Sequence, residues 1–248
     1  MKKTLILILN YNTPELTNPL YEDLKKNQSD LYDVFILDNG SDDDKKCKYE
    51  SIDLSSNTFY GGGVNVAFEI ILNNQELYDS LLLLNSDVII HPYNFIKTLR
   101  GVMFNDDYKI VSSTIIQPVQ HEQCYWLSMH NWNSKTPRDV KFVDFQSCLI
   151  HIDVIKKINQ FDDLLKYGWG NDLYTGMICE ENNWKICILD YCPIVHLGNY
   201  TVKIYSDRKE ISNYNDKANY NMYEFFKKIG KLDKLQEYIN YARTYKFE

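Results

Sequence analysis

Asn85-Ser86-Asp87 interrupts an apolar run, with Leu81-Leu82-Leu83-Leu84 before it and Val88-Ile89-Ile90 after it. A run of this kind reads as a strand buried on both faces, and a lone carboxylate there is costly unless a cation or a donor meets it. Ligands of open α/β sheets bind in the crevice at the carboxyl ends of the strands. Asp87 is therefore a candidate site residue. The competing reading is a turn aspartate, because Asn, Ser and Asp all favour turns. A second carboxylate, Asp172, follows Gly168-Trp169-Gly170-Asn171 at the start of an expected helix, where an ordinary helix cap is the competing reading. A third stretch runs from Asn57 through Gly61-Gly62-Gly63 to Asn65. Glycines ahead of a helix let the backbone approach a ligand, with free N–H groups at the helix start. The spacing is neither a dinucleotide fingerprint nor a Walker A loop, and a flexible turn is the competing reading.

The elements that must position these residues follow from periodicity and turn residues. Thr4–Leu9 and Asp33–Leu37 are buried strands, joined by a helix that Thr13 caps and Pro14 opens, running to about Asn27. This is the spacing of a parallel βαβ unit. Ile52–Leu54 is a short third strand, and a helix covers about Val64 to Asn73. After the central strand at 81–90, Pro92-Tyr93-Asn94 starts a helix through about Phe104, and Lys109–Gln117 is another strand. Residues 118–141 show no period and carry His121, Cys124, Trp126, His130, Trp132 and Pro137; such a segment is a substrate-facing loop or a small β insertion. Neither His121 nor His130 has a partner at metal-ligand spacing.

Val140–Ile152 alternates as a strand, Asp153 caps a helix at 154–159, and another helix covers about Leu173 to Asn183. Trp184–Leu189 is a strand, and the α/β part ends at His196-Leu197-Gly198. From Asn199 the composition shifts towards Lys, Tyr and Asn, with helices at 216–229 and 231–245. The expected organisation is one α/β domain over residues 1–198 and a C-terminal helical appendage over 199–248. That appendage packs back on the domain or meets a partner or a membrane surface.

The chain has 248 residues, 44% hydrophobic and 25% charged, which suits a globular protein with a sizeable core. Its net charge of −7 argues against a nucleic-acid partner. The six cysteines form no CxxC pair and no zinc spacing, and Cys148 and Cys187 fall in apolar runs. The apolar run after Met1-Lys2-Lys3 stops at Asn10, too short to span a membrane. A reducing, cytoplasmic setting without a transmembrane segment is expected, with peripheral membrane contact through a partner compatible with it.

Five stretches stand in one order: Asn10-Tyr11-Asn12, Leu37-Asp38-Asn39-Gly40-Ser41-Asp42-Asp43, Asn57 to Asn65, Leu84-Asn85-Ser86-Asp87-Val88, and Gly168-Trp169-Gly170-Asn171-Asp172. Together they resemble the inverting family 2 glycosyltransferases of the GT-A fold, particularly the rhamnosyltransferase-like branch, over residues 4–198. The resemblance implies an α/β fold with a mainly parallel central sheet flanked by helices. It implies that Tyr11 and Asp38 contact a nucleotide base, and that Asn57, Gly62, Gly63 and Asn65 form a loop beside the nucleotide. Asn85-Ser86-Asp87 stands at the DxD position, with Asn for the first Asp, so that Asp87 would hold Mg²⁺ or Mn²⁺ on the diphosphate. His196 stands where several GT-A enzymes place a further metal ligand. Trp169, Gly170 and Asn171 would face the sugar or the acceptor. Asp172 would be the general base, in a Glu-Asp pair whose first member is here Asn171.

The implied reaction is transfer of a hexose or deoxyhexose, with inversion, from a nucleoside-diphosphate sugar (UDP favoured) to a hydroxyl of a glycan or glycoconjugate. A divalent cation neutralises the leaving diphosphate, and one base takes the acceptor proton. A carboxylate at a helix N-terminus is expected to stay ionised, which suits that base. Two other functions compete. A sugar-nucleotide-forming nucleotidyltransferase would carry a basic, Gly-rich loop after its first strand, which Asn10-Tyr11-Asn12-Thr13-Pro14 lacks. A non-catalytic sugar-nucleotide or glycan-binding module would not need both Asp87 and Asp172.

Overall fold

The computed structural model describes residues 2–27, 29–90, 94–116, 126–198 and 208–247, with only the backbone at 208–211. Pro92, Tyr93, His121 and Cys124 lie outside the described residues. The chain begins with β1 (Lys3–Asn10), α1 (Pro14–Lys26), β2 (Tyr32–Asp38) and β3 (Ser51–Asp53). Next come α2 (Phe59–Leu72), β4 (Tyr78–Asn85), β5 (Val88–Ile89), α3 (Phe95–Asn105) and β6 (Tyr108–Ile116). Then follow β7 (Arg138–Asp139), β8 (Ser147–His151), α4 (Ile152–Ile158), α5 (Asn171–Glu181) and β9 (Lys185–His196). The last two helices are α6 (Arg208–Lys228) and α7 (Leu232–Thr244).

One sheet runs in the order β3-β2-β1-β4-β8-β6-β9-β5, with β7 also paired to β9. The pairs from β3 to β4 are parallel, as is β6 with β9, whereas β8 runs against both β4 and β6. Leu5–Ile8 of β1 and Leu81–Leu84 of β4 are buried on both faces, the pattern of interior strands under helices. α1 packs on β1 and β2, α2 on β1 and β4, α3 on β6 and β8, and α4 on β4 and β8. Because β1 lies between β2 and β4, the ends Asn10, Asp38 and Asn85 come side by side: Asn10 pairs Asp38 in register, and Leu9 pairs Asn85.

Several expected boundaries shift for local reasons. The strand at 81–90 is two strands, β4 and β5, parted at Ser86-Asp87, so that β5 leaves β4 and pairs with the end of β9. The helix expected from Val64 starts at Phe59 and takes the three glycines into its first turns. The alternation at 140–152 yields only β8, while the preceding stretch passes from β7 into a loop. His151, not Asp153, caps α4: its Nδ1 accepts from the Asp153 N–H. Gly170 is the N-cap of α5, which puts Asp172 inside the first turn.

The C-terminal helices share the core. Met222, Phe225 and Phe226 of α6 and Leu235, Tyr238 and Ile239 of α7 join the same buried cluster as β4 and β8. A buried ion pair, Arg138–Asp190, ties this region together. Both side chains are sealed from solvent, with Arg138 Nη2 2.9 Å from Asp190 Oδ1. Arg138 also donates to the carbonyls of Ser128 and His130 and to the Tyr245 hydroxyl. Asp190 accepts from the N–H groups of Trp132 and Ser134. The loop after residue 126, strands β7 and β9 and the end of α7 thus meet at one clamp. Arg138→Met removes one charge and strands the other, which typically costs about 3–5 kcal/mol. Urea unfolding of Arg138→Met is expected to show a loss of that size, and a loss below about 1 kcal/mol would assign the clamp no structural weight.

Candidate active site

The floor of the crevice is a knot of buried polar side chains around Asn10, which is 1% exposed. Its Nδ2 donates to Asp38 Oδ2 at 2.7 Å and to Ser41 Oγ at 3.1 Å. Its Oδ1 accepts from the hydroxyls of Thr17 (2.7 Å) and Thr13 (3.3 Å). The Thr13 hydroxyl lies 2.9 Å from Ser86 Oγ. Thr13 therefore occupies the cap position of α1 but spends its hydroxyl on Asn10 and Ser86 and caps nothing. One amide so joins the ends of β1 and β2, the start of α1 and the turn after β4.

Asp38 is fully buried, and its other oxygen accepts from the Ser41 N–H at 2.8 Å. Its carboxylate holds the 38–42 turn and, fully buried, presents no exposed oxygen to a base. Tyr11, half-buried, stands at the rim of the same turn.

The Asn57–Asn65 stretch is a braced helix start rather than an open cradle. The Thr58 N–H is bonded to Asn39 Oδ1, the Phe59 N–H to Asn57 Oδ1 and the Gly61 N–H to the Lys166 carbonyl. These donors are already used within the protein, which corrects the expectation of free N–H groups. Gly61 is required by approach: a Cβ there would lie 2.4 Å from the Leu165 carbonyl oxygen. Around Gly63 there are only ordinary contacts, and Gly62 abuts the Thr58 side chain. Asn65 is engaged twice with the backbone of Phe161, donating to its carbonyl and accepting from its N–H.

Asp87 and His196 meet because β5 carries the chain from Asp87 alongside the end of β9. Val88 pairs His196 in register, and the Leu197 N–H donates to the Asp87 carbonyl. His196 Nε2 lies 3.2 Å from Asp87 Oδ1, and both side chains are buried. A carboxylate oxygen and an imidazole nitrogen at one edge of the crevice suit a divalent cation whose other ligands are phosphate oxygens and water. Among the described residues no group of three or more Asp, Glu, His and Cys side chains is arranged to hold a metal. His196 Nδ1 is buried and has no hydrogen-bond partner, so the outer support usual for a ligating imidazole is missing.

Asp172 stands across the crevice with Asp144, a residue between β7 and β8. The Trp126 indole and the Leu173 N–H both bond to the Asp172 carboxylate, the latter at 2.8 Å. Trp126 packs edge-on against Phe142. Burial, and then the charge of Asp144, push Asp172 up to about 7 against these donors. The expectation that the helix start would keep this group readily ionised is thus corrected: burial outweighs the dipole. Asp144 is likewise raised, by burial first and by Asp87, with His196 opposing. The two carboxyls titrate as a pair. Gly170, at φ +90°, turns the chain into α5 over Met222 and Phe226. Trp169 is exposed, whereas Asn171 is 1% exposed with neither amide atom bonded. Asn171 lies beneath Gly61, its Nδ2 3.0 Å from where a Cβ on that glycine would stand.

The sequence reading passed over Asn10, Trp126 and Gln146 as site residues. The turn-rich stretch after β1 and the aromatic-rich segment pointed to the first two. Only the pairing of β8 with β4 brings in the third, with the Gln146 carbonyl accepting from the Asn85 N–H.

Two outcomes follow. Asn10→Leu leaves Asp38 and Thr17 each short of a buried partner, and is expected to lose at least about 2 kcal/mol in denaturant unfolding; a loss within about 0.5 kcal/mol would remove the knot from this account. For Asp172, a raised carboxyl means that the folded state holds a proton that the unfolded state releases above about pH 4. Its contribution is complete below that pH and declines as pH rises through about 7. The melting temperature of Asp172→Asn relative to wild type is therefore expected to climb between pH 5 and 8, and a flat difference would contradict the raised value.

No protein-family model matches the sequence, and no curated protein matches it at a significant level. Solved structures do resemble it. S. aureus TarS residues 1–349 in complex with UDP-GlcNAc superposes with a TM-score of 0.64 at 15% identity, over 98% of this chain and 74% of that one. GalNAc-T7 with UDP, GalNAc and Mn²⁺ gives a TM-score of 0.63 at 11% identity, over 96% of this chain and 58% of that one. A197 from STIV gives 0.50 at 17% identity, over 79% and 85%. TarS and GalNAc-T7 are GT-A glycosyltransferases, and this chain has the GT-A glycosyltransferase fold.

Proposed function

We propose that this chain is an inverting glycosyltransferase that moves a hexose or deoxyhexose from a nucleoside-diphosphate sugar to a hydroxyl of a glycan or glycoconjugate. The observation that carries the reading is the placement of two unlike acidic sites at one crevice: Asp87 with its imidazole partner His196, and Asp172 with its pKa near 7 beside Trp126. UDP is the favoured carrier, in keeping with the UDP and UDP-GlcNAc of the structural neighbours.

In this reading Asp172 takes the proton of the acceptor hydroxyl. A pKa close to the working pH suits that step, because the group is both available as a base and strong enough to accept. Trp126 and the Leu173 N–H hold the carboxylate in place, and Trp169 offers the acceptor an exposed aromatic face. Asp87 and His196 would hold Mn²⁺ or Mg²⁺, which supplies charge neutralisation for the leaving diphosphate. Asn85 and Ser86 line the approach to it. Tyr11 faces the base, with Asp38 shaping the turn beside it. Asn57, Gly62, Gly63 and Asn65 act at one remove, through the start of α2, while Gly170 and Asn171 seat α5. Residues 1–198 form the transferase domain, and 199–248 its helical appendage. The five cysteines among the described residues are free thiols, which suits a reducing, cytoplasmic compartment. Among the described residues, no helix is long and apolar enough to cross a membrane.

The test is a sugar-nucleotide hydrolysis and transfer assay with Mn²⁺. Wild type is expected to release nucleoside diphosphate slowly without acceptor, and Asp87→Ala to lose both turnover and metal-dependent nucleotide binding. Asp172→Asn is expected to bind donor normally and to lose transfer by about 10²–10⁴-fold. Intact sugar nucleotide with wild type, together with tight binding, would make the chain a binding module instead.

A further inference from the structure

Two buried amide oxygens on paired strands at the crevice accept no hydrogen bond. Asn85 and Gln146 form the next antiparallel pair beyond Leu84–Ser147, and the Asn85 N–H donates to the Gln146 carbonyl at 3.1 Å. Residues directly opposite in such a pair put their side chains on the same face of the sheet. Gln146 Nε2 donates to Asp144 Oδ2 at 2.9 Å, which fixes the amide and leaves Oε1 as the free end. Gln146 Oε1 and Asn85 Oδ1 are both buried and both lack a hydrogen-bond partner. Buried acceptors are rarely left so, and a site that keeps two of them on opposed residues is short of donors.

The position of the pair says what brings the donors. Asp144, to which Gln146 is bonded, is the carboxylate that feels Asp87 and His196 on one side and Asp172 on the other. In an in-line transfer the sugar ring lies between the leaving diphosphate and the base that serves the acceptor. Resting on the proposed transferase reading, we infer that Asn85 Oδ1 and Gln146 Oε1 are the sugar-reading atoms of this site, accepting hydrogen bonds from two hydroxyl groups of an uncharged hexose. Acceptor oxygens pair with hydroxyl donors and repel a carboxylate, so a uronate is excluded. Gln146 then sets specificity without touching the nucleotide.

The test compares diphosphates with their sugars by calorimetry in the presence of Mn²⁺. UDP, dTDP and GDP are each titrated alone and as UDP-glucose, UDP-galactose, dTDP-glucose and GDP-mannose, with UDP-glucuronate as the anionic arm. Wild type is expected to bind at least one neutral sugar nucleotide about tenfold tighter than its own diphosphate, and UDP-glucuronate no tighter than UDP. Gln146→Leu and Gln146→Met are expected to bind the diphosphate as wild type does and to lose that tenfold gain. Unchanged diphosphate binding reports that the variants are folded. An equal sugar gain in wild type and both variants would overturn the assignment while leaving the transferase reading intact. So would a gain for UDP-glucuronate matching that for UDP-glucose, or no gain for any hexose over its diphosphate. Failure of wild type to bind any of the three diphosphates would overturn the transferase reading, and this assignment with it.

Discussion

The crevice depends on one buried amide. Asn10 ends a strand whose neighbours on both sides are parallel, so three strand ends arrive together. A buried amide has two donors and two acceptor sites, and Asn10 uses its capacity to hold Asp38, Ser41, Thr13 and Thr17. Asp38 and Ser41 belong to the turn after β2, Thr13 and Thr17 to the start of α1. Through the Thr13 hydroxyl the network reaches Ser86, the residue before Asp87. The position of the candidate metal carboxylate is therefore set partly by a residue on another strand. In a low-dielectric floor, a network of this kind is rigid when complete and costly when broken.

The opposite wall is built differently. Asp172 and Asp144 come from an irregular stretch and a helix start, and what holds them is packing: Trp126 on Phe142, Phe142 stacked on Tyr238, and Gly61 pressed onto the Leu165 carbonyl. One wall is fixed by hydrogen bonds at strand ends and carries the Asp87–His196 pair. The other is fixed by aromatic contacts and carries a carboxyl that burial keeps half-protonated near neutral pH. Two acidic sites of such different character on one crevice suit the separate cation-binding and proton-accepting roles of the proposed function.

Much of this was legible in the sequence. The apolar runs at Thr4–Leu9 and Leu81–Leu84 mark strands covered on both faces, which carry no alternation, whereas Asp33–Leu37 keeps Phe35 exposed. The polar steps that end them mark the crevice. What could not be read was the work of tertiary contacts. Glycines 61–63 look like a loop, yet the chain enters a helix at Phe59 because Asn39 and Asn57 satisfy its first N–H groups. Asp172 at a helix start looks well stabilised as an anion, yet burial raises it first, and after burial the charge of Asp144, 28 positions earlier in the chain. The antiparallel placement of β8 between β4 and β6 leaves no mark in its own sequence, and with it Gln146 escaped notice.

The Arg138–Asp190 clamp also bears on the order in which the molecule assembles. Its two charges are 52 positions apart, and its link to Tyr245 spans 107. Closing loops of this length costs chain entropy before any contact is gained, and such distant pairings form slowly. The β1–α1–β2 unit closes much shorter loops, with Asn10 and Asp38 only 28 positions apart. The Asn10 floor of the crevice can therefore fold while the wall that carries Asp144 and Asp172 is still open chain. In a protein made from its N-terminus onward, the Asp87–His196 pair closes only once β9 has been added and β5 has found it.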